Sequence, residues 1–188
     1  MKGGVTPFTQ DVFTLVSQGF SDDDPEVRSN AAFAMGVLVE NSDYDMSGQY
    51  LAILTALRPY FVVAEGAPHA QFNAKDNATG CVARMLLKNS TAMPLDQVIP
   101  VFVNALPLKH DFLENRPVFR ALFHLFHTIP DALAPHLDHL LAVFAFVLDP
   151  ESADMIGDEN RAELINLIKL LNGSVPDKVQ AAGLSAYL

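Results

Sequence analysis

The turn Ser21-Asp22-Asp23-Asp24-Pro25-Glu26 and the two apolar stretches it joins constrain this chain most. Proline fixes φ and has no N–H, so it suits the first position of a helix, where that N–H would have no intrahelical partner. A short carboxylate just before it accepts an orphan N–H of the first turn, so Asp24–Pro25 predicts a helix start. Upstream, Phe8, Val12, Phe13, Leu15, Val16 and Phe20 recur at helical spacing; downstream, Val27, Ala31, Ala34, Met35, Leu38 and Val39 do the same. Two helices joined by so short a turn lie side by side, with small residues where they touch. One such pair cannot bury its apolar face alone, so further pairs are expected.

The pattern recurs. Asn30-Ala-Ala-Phe-Ala-Met-Gly-Val-Leu38 is echoed by segments opening at Asn77, Asn115 and Asn160, each with an apolar residue eight positions on: Met85, Phe123 and Ile168. The last three asparagines directly follow an acid, Asp76, Glu114 and Glu159. Spacings of roughly 40–47 residues with two helices per unit are the signature of HEAT and armadillo arrays. No strictly alternating stretch argues for a strand, so the fold class is all-α, an α-solenoid of about four antiparallel helix pairs in a right-handed superhelix. The repeats are expected at 6–41, 47–90, 94–128 and 131–172 of one continuous unit, 1–188, with a further helix starting within 175–188. Proline and glycine punctuate them. Pro59 should end the regular part of a helix, Pro94 and Pro117 should sit in first turns, and Asn172–Gly173 should stop the helix from Glu159 to Leu171. A longer connection, Asp149 to Asp154, follows Leu133 to Leu148 in the fourth pair.

A chain of 188 residues with 50% hydrophobic content can bury a continuous core. Its net charge of −10 argues against nucleic acid, whose phosphates need clustered Lys and Arg, and toward a basic protein or peptide. An ordinary acidic surface explains the same charge without any ligand. The single cysteine, Cys81, cannot form an internal disulfide and suits a reducing compartment. The sequons at Asn77, Asn89 and Asn172 read as chance matches. The apolar run from Leu140 to Leu148 is far shorter than the roughly 20 residues that span a bilayer, so no membrane is expected. Met1-Lys2-Gly3-Gly4 reads as a cut point or cloning remnant rather than a natural start, so a fragment is expected.

In a stacked array, equivalent positions line up as rows across repeats. Asn77, Asn115 and Asn160, with Asp76, Glu114 and Glu159, would then present amides and carboxylates in a ladder, which Asn73 and Asp111 extend by one helical turn. Such a ladder suits an extended peptide: amides hold its backbone, carboxylates its lysines or arginines. Helix capping or plain solvation explains the same residues without a ligand, Asn30 and Asn160 above all. His124 with His127 and His136 with His139 are i, i+3 pairs able to ligate zinc or iron, but they lack the glutamates of a carboxylate-bridged bundle. Cys81 has only Gly80, Val82 and Ala83 beside it, and no phosphate loop or nucleophile elbow is present. No enzyme, no cofactor and no metal are expected.

Asp23-Asp-Pro-Glu-Val-Arg-Ser-Asn-Ala-Ala-Phe-Ala-Met-Gly36, Asp76-Asn-Ala-Thr-Gly-Cys-Val-Ala-Arg-Met85 and Leu106-Pro-Leu-Lys-His-Asp-Phe-Leu-Glu-Asn115 resemble the C-terminal HEAT repeats of importin-β (karyopherin-β) nuclear transport receptors. The likeness is to the importin-four type of fungi and covers nearly the whole chain; the first motif is general to HEAT proteins and the other two are more specific. It implies a cargo-binding segment of a larger superhelix, in cytoplasm and nucleus, for basic cargo such as core histone tails, ribosomal proteins or nuclear localisation signals. Ran GTPase would bind repeats absent from this fragment. In the family the second helix of each repeat lines the concave face. The resemblance thus implies Asn30, Asn73, Asp76, Asn77, Asp111, Glu114, Asn115, Asp158 and Glu159 as the cargo-peptide site, with Glu114 and Asp111 holding lysines and Asn77 and Asn73 the peptide backbone. The fourth repeat departs most from the family pattern, which leaves Asp158 and Glu159 the weakest matches. The alternative is a HEAT scaffold that binds a folded partner through its outer helices or the loop from Glu65 to Gln71.

Overall fold

A computed structural model describes residues 4–150 and 155–188. The start at Met1 to Gly3 and the linker residues 151–154 lie outside the described residues.

Asp24 caps α2 (Pro25–Asn41) as its sequence predicts: the carboxylate accepts the Glu26 N–H at 2.9 Å, and Pro25 is the first helical residue. The helix before the turn, α1 (Thr9–Gly19), packs against it. The closest approach is at Gly19, where a Cβ would stand 2.9 Å from the Ala31 Cβ, so small residues on both helices set the spacing.

The second pair is α3 (Tyr50–Leu57) and α4 (His69–Asn89). Pro59 ends the first of these as expected, and the chain leaves through a 3₁₀ turn, Arg58–Phe61. Helix α5 (Leu95–Asn104) and α6 (Asn115–Thr128) form the third pair, with Pro94 just before one and Pro117 in the first turn of the other. In the fourth, Pro130 opens a short helix, α7 (Pro130–Leu133), that runs through a 3₁₀ turn into α8 (Leu137–Leu148). Its return helix α9 (Asp158–Ser174) overruns the expected stop: Asn172 and Gly173 are still helical, and Val175–Pro176 ends it. Helix α10 (Pro176–Ala181) follows, closed by Gly183 at φ 76°.

Among the described residues there is no strand, and α2, α4, α6 and α9 lie side by side in an inner row. This is an all-α solenoid. One apolar cluster runs through every pair, from Phe20, Met35 and Leu38 through Ile53, Leu86 and Phe102 to Leu122, Phe144, Ile168 and Val179. Stacking thus completes a core that no pair builds alone. The stretch Pro130–Leu148 is long and apolar enough to cross a membrane, but its 3₁₀ turn breaks it, and Leu140, Phe144 and Val147 bury in this core.

Candidate functional site

The acid–asparagine steps sit on the inner row, and the structure gives them work within the fold. Asp76 and Asn77, in the middle of α4, face opposite neighbours. Asp76 Oδ2 accepts the backbone N–H groups of Lys109, His110 and Asp111, at 3.1, 2.8 and 2.9 Å, and so fixes the turn of the third pair. Burial pushes the Asp76 carboxyl up from its ordinary range, and these three N–H groups pull against that. Asn77 donates from Nδ2 to Ser29 Oγ on α2 at 3.0 Å. Asn160 works the same way two pairs later, donating to the Arg116 carbonyl on α6 at 3.2 Å and to Ile156 O at 3.0 Å. Neither Asn30 nor Asn77 is a cap: Asn30 is the sixth residue of α2 and Asn77 the ninth of α4.

Glu114 is committed more deeply. It is 1% exposed, and both of its oxygens take Arg84: Nη2 donates to Oε1 at 3.0 Å and Nη1 to Oε2. Arg84 Nε also meets Glu40 Oε2 at 3.3 Å, and its guanidinium lies 5.5 Å from the Phe33 ring centre. Arg120 completes a chain of charges, 3.9 Å from Glu40. Three inner helices are thus tied through one arginine. Burial works against the Arg84 charge, but the Glu114 bond and charge outweigh it and hold the guanidinium above its ordinary value. Burial likewise pushes the Glu114 carboxyl up, with Arg84 opposing. Gly80 makes the room: a Cβ there would stand 1.5 Å from Glu114 Oε2. Gly36 does the same for Cys81, 2.9 Å away at its Cα.

The nine expected peptide contacts therefore divide. Asp76 and Glu114, buried, direct oxygens at the backbone turn and at Arg84, which corrects the expectation that Glu114 meets a lysine. Asn30, Asp158 and Glu159 are exposed, and Asn73 and Asp111 half-buried, with Asp111 Oδ1 capping the turn at Leu113 N. Among the described residues, four buried atoms have no hydrogen-bond partner: Oδ1 of Asn73, Oδ1 of Asn77, and both Oδ1 and Nδ2 of Asn115. Sequence reasoning missed Arg84, Glu40, Phe33 and Ser29. The signal was Arg84 itself, a lone charge inside the apolar run Gly80–Leu87, which a fold buries only with a partner.

The histidines that meet are not the expected i, i+3 pairs. His110 Nδ1 lies 3.1 Å from His69 Nε2, with Phe72 stacked on the His110 ring, while His139 Nε2 lies 3.1 Å from Val103 O. Among the described residues no three metal-ligating side chains converge. Burial pushes the Cys81 thiol up to about 12, far from a nucleophile's range. On the outer helices a cavity of about 390 Å³ is lined by Leu51, Leu54, Phe61, Val98, Val101 and Phe102 of the second and third pairs.

Comparison with known proteins agrees with this architecture. Residues 12–42 match the family model described as HEAT repeat. The chain is 41% identical over 169 residues to a protein named probable importin subunit beta-4 from Schizosaccharomyces pombe, over 90% of this chain and 15% of that one. It is 32% identical over 159 residues to human importin-4, over 85% of this chain and 14% of the relative. Mouse importin-4 is 27% identical over 175 residues, 93% of this chain and 15% of the relative. The chain thus spans about one seventh of the length of these relatives. Helix pairs stapled to one another along an inner row, with similarity over nearly the full chain, make it a HEAT-repeat segment related to the importin-4 proteins.

Proposed function

We propose that this chain is a cargo-binding segment of a nuclear import receptor and holds a basic, lysine-rich peptide, such as a core histone tail or a nuclear localisation signal, on its inner helices. The relatives named as importins support the receptor reading. One observation carries the site: the unpartnered amide atoms of Asn73, Asn77 and Asn115 on neighbouring inner helices. A buried polar group without a partner costs about 1–3 kcal/mol, and four such atoms on two adjacent helices, α4 and α6, suit a ligand that supplies the partners. A peptide backbone supplies both donors and acceptors, and the unpartnered atoms are three acceptors and one donor.

Asn73 and Asp111 are half-buried, and Asn77 and Asn115 are buried. With Glu114 engaged by Arg84, lysine ammonium groups fall to Asp111 and to exposed Asp158 and Glu159, with exposed Asn30 a further backbone contact. Each exposed charge contributes little, so affinity comes from several together and falls with salt. Such a receptor works in cytoplasm and nucleus, and Ran would engage parts of the full-length protein outside this segment. No direct binding of nucleic acid or membrane is part of this reading.

The test is titration of a labelled lysine-rich peptide into the chain and into an Asn73→Ala, Asp111→Asn variant; asparagine keeps the cap at Leu113. At least about fivefold weaker binding with unchanged melting supports the site. Equal binding by both proteins removes it. A second reading, a scaffold for a folded partner, rests on the outer apolar cavity between α3 and α5. It expects a Val101→Ser change, at a residue 45% exposed, to weaken capture where the inner-face variant does not.

A further inference from the structure

Helix α6 turns one stripe of four residues to solvent, besides Thr128 at its last position and half-buried Phe126. Its members are Arg116, Arg120, His124 and His127, at positions i, i+4, i+8 and i+11, which share one helical face. Arg116 and His127 are exposed, the Arg120 side chain is 60% exposed and His124 is half-buried. Every side chain on the stripe is basic or a histidine, in a chain whose net charge is −10. The opposite face of the helix, through Val118, Leu122 and Leu125, is fully buried, so the stripe is fixed in direction by the core. The Arg116 guanidinium packs over Gly157 at the start of α9, where a side chain would meet it at 3.5 Å. Arg120 touches Glu40 only at 3.9 Å, a geometry that leaves its guanidinium edge open to a better acceptor.

We infer that this stripe binds an acidic peptide segment, with Arg116 and Arg120 each taking a carboxylate. Arginine offers carboxylates paired N–H donors in a fixed fork, which two ridge positions one turn apart repeat along the helix. From residue 116 to 127 the stripe runs about 16 Å, enough for roughly five residues of extended chain. Glu40 stands 3.9 Å from Arg120, and the next inner helix, α9, carries exposed Asp158, Glu159 and Glu163. A long polyanion such as RNA would run past the stripe onto those carboxylates, whereas a short acidic peptide ends within it. The inference does not rest on the lysine-peptide reading, since it uses different residues and the opposite charge.

The experiment is titration of fluorescein-labelled hexaglutamate at 50 mM salt into the wild-type chain, an Arg116→Gln, Arg120→Gln variant and a Glu40→Gln variant. Saturable binding is expected in the wild type, weakened about tenfold or more in the double variant and tightened severalfold when Glu40 no longer competes for Arg120. Both arginines are exposed, and far-ultraviolet circular dichroism checks that the variants stay helical. Absence of saturable binding in the wild type, undiminished binding in the double variant, or labelled hexauridylate binding at least as tightly would each overturn the proposal.

Discussion

Replacing Glu114 by alanine tests how the inner helices are held together. The side chain is 1% exposed, and its removal takes both oxygens from the Arg84 guanidinium, itself 7% exposed. Breaking one partner out of a buried ion pair costs about 3–5 kcal/mol, because the remaining charge stays desolvated. Arg84 keeps Glu40 at 3.3 Å and the Phe33 ring, which places the loss at the lower end, about 3 kcal/mol. With an unfolding entropy of about 2.1 cal/mol/K per residue, a chain of this size loses about 8 °C in Tm. The assay is thermal and urea unfolding followed by circular dichroism, for Glu114→Ala, Arg84→Met and the double variant. The double variant removes both charges, so it should cost less than the two single changes together, with a coupling of about 2 kcal/mol or more. Additive losses, or a Glu114→Ala variant within about 2 °C of wild type, would refute the reasoning and return Glu114 to the list of free acceptors.

Four further outcomes follow from neighbouring geometry. Gly80→Ala, whose Cβ would collide with Glu114 Oε2 at 1.5 Å, should destabilise the wild type by more than about 2 kcal/mol yet be nearly neutral once Glu114 is alanine; unfolding curves in both backgrounds decide it. Asp76→Ala strips the acceptor from three backbone N–H groups and should cost about 2–4 kcal/mol, with faster amide exchange at residues 109–111 as the specific mark. With its thiol pushed up to about 12 and no exposed surface, Cys81 should resist alkylation at pH 8 until the chain unfolds. Burial raises Tyr50 and Tyr60 to about 12, so folded-state stability, full below the unfolded value near 10, should fall as pH rises from 10 through 12. Ultraviolet titration should show Tyr50 and Tyr60 ionising at the top of that range, near 12.

Local chemistry made the helix boundaries legible. Asp24–Pro25, Pro59 and Pro117 fall where backbone rules put them, while Pro94 stands one residue before α5 rather than in its first turn, and Pro100 is held inside that helix. Asn172–Gly173 failed as a stop because helix propensity is a weak signal, and α9 runs on to Ser174. The spacing of the acid–asparagine steps located the seams of the array correctly but left their direction open. Whether Asp76 points to a ligand or to the turn at Lys109–Asp111 depends on how closely the next pair approaches, which no local pattern encodes. The Glu114–Arg84 bond is the clearest case: the two are 30 residues apart, and only the gap above Gly80 brings them together.

Amide hydrogen exchange of the chain with and without a saturating lysine-rich peptide tests the cargo site most directly. New protection should appear over residues 69–77 of α4 and 109–116 around the start of α6, the segments that carry the unpartnered amides. Protection confined to α3 and α5, around the outer cavity, would contradict the inner-helix site and establish the outer face as the binding surface.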